Sequence, residues 1–92
     1  MNKLEEARLI INDVDKEMIE LFKKRMNAAR LVLEYKKEND LPIYDEVREK
    51  ALIEKNKKLL NDEELEEYYL SFLEKMLEIS KEYQYNLLNE EE

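Results

Sequence analysis

The chain has 92 residues, 43% of them charged, with no Gly, no Cys, no His and a single Pro. This composition belongs to long helices with short connections, and it excludes thiolate nucleophiles, disulfides, Cys- or His-ligated metals and Gly-rich phosphate loops. A net charge of −8 argues against nucleic acid, whose binding needs a basic face.

The first predicted element is one helix of about 35 residues, from Leu4 to about Glu38. Its apolar positions Leu4, Ala7, Ile11, Val14, Met18, Leu21, Ala28, Val32 and Tyr35 recur at three- and four-residue spacing. Arg25 stands where the next hydrophobe belongs. Lys36 follows eleven residues later, which is three turns to within about 20°. Two cations therefore share the apolar face, about 16 Å apart, across a low wall of Ala28, Ala29 and Val32. Arg30 points about 140° away, toward solvent. A seam cation with no carboxylate on its own helix face needs a partner from elsewhere, and the low wall admits a small anion.

The helix is also too long for its chain. At about 1.5 Å per residue it spans about 52 Å, whereas a compact chain of this length is about 32 Å across. The overshoot predicts a second copy of the chain covering the seam, in an interlocked homodimer.

Residues 39–44 break the helix, because Pro42 disfavours helix at the residue before it, and Asp45 caps a new start. The second helix runs from about Asp45 to Leu60. Arg48 and Glu49 lie in its first turn, and Arg48 heads a line with Leu52, Lys55 and Leu59. A short break at Asn61 and Asp62 follows, with Asn61 and Glu64 spaced as a capping-box variant. Leu65, Tyr69, Phe72, Met76, Ile79, Tyr83 and Leu87 then mark the third helix, whose Tyr and Met residues are assigned to core. Ser80 and Gln84 form an i, i+4 polar pair beside that seam, and residues 89–92 are expected to fray. The fold class is therefore all-α, a single domain over 1–92: one very long, one short and one medium helix in an intertwined helical homodimer. No apolar run reaches membrane-spanning length, residues 1–8 lack the apolar core of a signal peptide, and a Cys-free chain suits a reducing cytoplasm.

Taken in order, Ala7-Arg8 with Ile11 and Asp15, Arg25-Met26, Tyr35-Lys36, Leu41-Pro42-Ile43-Tyr44-Asp45, Arg48-Glu49 and the Ser80/Gln84 pair resemble the all-helical class of chorismate mutase over nearly the whole chain. Each residue alone has an ordinary reading: a solvated Arg, a Lys facing the helix dipole, a surface Glu, an N-cap Asp. Their joint order and spacing carry the likeness. The resemblance implies rearrangement of chorismate to prephenate on the way to phenylalanine and tyrosine, with no metal and no cofactor. Carried over by position, Arg25 and Arg8 of a second subunit clamp the substrate carboxylates. Lys36 and Gln84 address the ether oxygen, Glu49 and a backbone N–H near Asp45 meet the ring hydroxyl, and Arg48 and Ser80 support the carboxylates. An isochorismate-pyruvate lyase on the same fold and a non-enzymatic helical dimerisation module are the alternatives.

Overall fold

The computed structural model describes residues 1–90, which form three helices: α1 (Lys3–Glu38), α2 (Glu46–Leu60) and α3 (Glu66–Glu90). Among the described residues there is no strand. α1 starts at Asn2, whose side-chain oxygen accepts the Glu5 N–H at 2.9 Å; Glu5 and Glu6 in the first turn and Lys36 and Lys37 in the last complement its dipole. α1 ends in a Schellman closure, with Leu41 N–H donating to Lys36 C=O at 2.8 Å and Asp40 N–H to Lys37 C=O. The residue that turns left-handed there is Asp40, at φ 53°, because the chain has no Gly to offer.

Asp45 caps α2 as the sequence predicts, accepting the Arg48 N–H at 3.0 Å. The capping box proposed for Asn61 and Glu64 does not form. Asn61 instead closes α2 in the left-handed region (φ 46°, ψ 49°), and Asp62 accepts the Leu65 N–H at 3.1 Å. Two residues divide the work because the five-residue connection 61–65 must stop one helix and start the turn that leads into the next. Asp40→Gly and Asn61→Gly each relieve a left-handed non-glycine residue, so each should raise stability by roughly 0.5 kcal/mol in denaturant unfolding.

α3 packs against both α1 and α2, which make no close backbone approach to each other. The buried residues of α3 are Leu73, Leu77, Ser80 and Gln84, with Leu73 fully enclosed. This corrects the expected seam of the third helix. The row from Leu65 through Leu87 lies about 80° round the helix, with Leu65 and Phe72 half exposed, and Tyr68 and Tyr85 face solvent rather than core. A helix wedged between two others buries the row facing the gap, and here that row is half polar, so hydropathy counts it as surface. The expected fraying at Asn89 and Glu90 is likewise corrected, since α3 continues through Glu90; residues 91–92 lie outside the described residues.

α1 keeps few neighbours within the chain. Of its 36 residues only Ala29 and Leu33 are buried. Leu4, Ile11, Val14, Met18 and Leu21, the seam of its first two-thirds, are exposed, Leu21 by 62%. The chain measures 55 × 28 × 15 Å with a radius of gyration of 16.6 Å, against about 12 Å for a compact chain of this length.

Candidate active site

The C-terminal half of α1, the loop before α2, the first three turns of α2 and the middle of α3 enclose a cleft of about 420 Å³, within the range of small-ligand sites. Two contacts set the frame. Arg25 Nη1 donates to Ser80 Oγ at 2.7 Å, and Gln84 Nε2 donates to the Ala29 carbonyl at 2.7 Å. Four residues separate the partners on each helix, so α1 and α3 run parallel in register. The small side chains of Ala28, Ala29 and Ser80 permit this close approach.

Each contact also aims a polar group. The Ser80 hydroxyl donates back to Met76 C=O at 3.0 Å, which turns an oxygen lone pair toward Arg25 and holds the guanidinium over the cleft. Gln84 is buried, with one amide N–H spent on Ala29 and a second still to place. Lys36 is held by the loop it helps to shape: its Nζ donates to the Ile43 carbonyl at 2.7 Å, and Ile43 is buried beneath it. An ammonium has three donors, so this contact leaves two. Neither Arg25 nor Lys36 has a carboxylate partner among the described residues. Both are held by neutral oxygens, so their charge is uncompensated at the cleft wall.

The structure brings Arg25, Lys36, Asp45, Arg48, Glu49, Ser80 and Gln84 to this one cleft, with Ala28, Ala29 and Val32 as its low wall. Arg48 stands exposed at the rim. Arg30 faces solvent. On α2 the cleft takes Arg48, Glu49, Leu52 and Asn56, while Lys55 and Leu59, which continue the expected line from Arg48 and Leu52, face solvent. Arg8 is not at the cleft. It is exposed on α1, seventeen residues before Arg25, and so about 25 Å away along the axis.

The model of the chorismate mutase type II family matches residues 7–85, a span that begins just before Arg8 and ends just after Gln84. This chain belongs to the chorismate mutase type II family. None of the curated proteins and none of the solved structures matches it. Within this family member the cleft holds two polar residues that sequence reading passed over. Asn56 lines its floor, and Lys81 Nζ lies 3.1 Å and 3.0 Å from the two carboxylate oxygens of Glu49. Lys81 was findable: it directly follows Ser80, so about 100° of helix turn sends it to α2 where Ser80 goes to α1. With Lys81 included, four cations face two carboxylates across the cleft, a local excess of positive charge in a chain of net charge −8. Among the described residues no cluster of acidic side chains is arranged to hold a metal ion, and no helix is long and apolar enough to cross a membrane.

Proposed function

We propose that this chorismate mutase type II family member isomerises chorismate to prephenate, serving aromatic amino-acid synthesis, as a homodimer in the cytoplasm. The observation that carries the reading is the uncompensated pair Arg25 and Lys36, held by Ser80 Oγ and Ile43 C=O across a cleft that also presents the Gln84 amide. The reaction breaks an ether C–O bond and forms a C–C bond in one cyclic electron shift. It needs no nucleophile and no proton shuttle. It does need a flexible dianion folded into a chair-like conformer, and donors at the ether oxygen, which gains negative charge as the bond stretches.

The residues divide along those needs. Arg25 grips a carboxylate with its planar fork, supported by Ser80, and Arg48 supplies further positive charge at the rim. Lys36 and Gln84 aim their remaining N–H groups at the ether oxygen. A hydrogen bond to a charged group contributes roughly 1.5–3 kcal/mol, so each donor that strengthens in the transition state contributes about one to two decades of rate. Glu49 accepts the ring hydroxyl, beside the N–H groups at the Asp45-capped start of α2.

The second copy of the chain supplies what this one lacks. The chain exposes 7880 Å², whereas a compact monomer of its mass exposes roughly 5,700 Å². A surplus of roughly 2,200 Å² per chain is the scale of an obligate dimer interface. The exposed seam of α1 from Leu4 to Leu21 lies on the same face as Arg25, so a partner covering it runs up to the open side of the cleft. In an interlocked dimer, the partner's α1 brings its Arg8 to that opening.

The deciding experiment adds purified protein to chorismate and follows loss of substrate absorbance with product analysis. Prephenate is the expected product. Free pyruvate from isochorismate in a parallel assay would reassign the protein as the lyase, and a protein inert toward both substrates would leave only a helical dimerisation module.

A further inference from the structure

Lys81 is the charged cleft residue to which the family pattern above assigns no role. Ion pairs such as Lys50–Glu46 and Lys75–Glu78 lie within one helix and in solvent. The Lys81–Glu49 pair joins α3 to α2, and its side chains are only 28% and 22% exposed. The ammonium straddles both carboxylate oxygens, at 3.1 Å and 3.0 Å, and on another side it rests 4.6 Å from the centroid of the Tyr44 ring. The turn of α3 that carries it is fastened to α1, because Ser80 is buried and tied to Arg25.

We infer that Lys81 is a positioning residue that fixes the plane of the Glu49 carboxylate, and so makes the site selective for a substrate bearing the ring hydroxyl; this rests on the mutase reading above. One cation spanning both oxygens uses one lone-pair direction on each and leaves the others free to accept. Tyr44 prevents the ammonium from following Glu49 if it swings, so the acceptor keeps one orientation. Lys81 gives the substrate carboxylates little, because its charge is neutralised by Glu49 at contact distance. Its influence therefore falls on the hydroxyl end of the substrate, while Arg25 and Lys36 continue to hold the rest.

That division is measurable. Two bicyclic dicarboxylate analogues of the chair-like conformer, one with the ring hydroxyl and one lacking it, are titrated against the full-length wild-type protein, Lys81→Met and Lys81→Arg. Lys81→Met should bind the hydroxylated analogue about tenfold more weakly and the deoxy analogue within about twofold of wild type. kcat/KM for chorismate should fall by a similar factor, and Lys81→Arg should recover most of it. Equal weakening toward both analogues would make the pair a mere fastening between helices and overturn the inference. No weakening toward either would overturn it too. Lys81→Gln replaces Lys81→Met if the latter does not fold, and failure of both to fold also assigns a fastening role. A wild-type protein that neither turns over chorismate nor binds either analogue removes the mutase reading itself, an outcome distinct from an active wild type with an insensitive Lys81.

Discussion

Arg25→Ala should lower kcat/KM for chorismate by about a thousandfold while leaving the helical circular dichroism and melting temperature unchanged or improved. The activity term follows from the fork. Two charge-assisted bonds to a carboxylate, at roughly 1.5–3 kcal/mol each, amount to two to four decades. The stability term follows from the neighbours. Arg25 is half-buried, and its described partner is a neutral hydroxyl, Ser80 Oγ, which keeps its own bond to Met76 C=O when the guanidinium is gone. No buried polar atom is orphaned, and a cation held without a counter-charge is removed. A residue placed for folding would show the reverse pattern, with lost stability and activity falling only in proportion to unfolded protein. Steady-state kinetics beside thermal melts on the same sample separates the two. A variant retaining more than about a tenth of wild-type kcat/KM would remove Arg25 from the binding machinery.

The same residue shows what the sequence made legible. Arg25 was conspicuous because a charge interrupted an otherwise regular apolar row, and Lys36 because eleven residues return to the same face of a helix. The three helices and the Asp45 cap followed from periodicity and one Pro. The packing face of α3 did not. Its buried row of Leu73, Leu77, Ser80 and Gln84 repeats the eleven-residue spacing of Arg25 and Lys36, but half of it is polar. Those polar members are buried because α1 offers each a partner, the Arg25 guanidinium for Ser80 and the Ala29 carbonyl for Gln84, a pairing of two helices that no single-helix pattern contains. Lys81 was missed for a related reason. On a helix carrying six other acidic or basic side chains from Glu66 to Glu82, only the place of Lys81 directly after Ser80 marks it as the one that crosses to α2. The division of work between Asn61 and Asp62 was hidden because both residue types suit either end of a helix.

Mixing Arg8→Ala and Arg25→Ala subunits, each nearly inactive alone, should restore about a quarter of wild-type activity. Random exchange makes about half of the dimers mixed, and each mixed dimer holds one site with both arginines and one with neither. The geometry of the single chain favours this outcome over the alternative. Arg8 stands about 25 Å along a continuous helix from Arg25, far beyond the reach of a side chain and with no bend between them to fold it back. The apolar stripe joining the two, from Leu4 through Ile11, Val14, Met18 and Leu21, is exposed in the single chain, so whatever covers it lies against the cleft side of α1. If Arg8 served its own chain, mixing would restore nothing, since every chain in the mixture would lack one arginine. Sedimentation equilibrium on the wild-type protein tests the premise independently: a mass of one chain at assay concentration would rule out any shared site. A recovery that rises with mixing time toward that quarter would show the restored activity to depend on subunit exchange rather than on either parent variant.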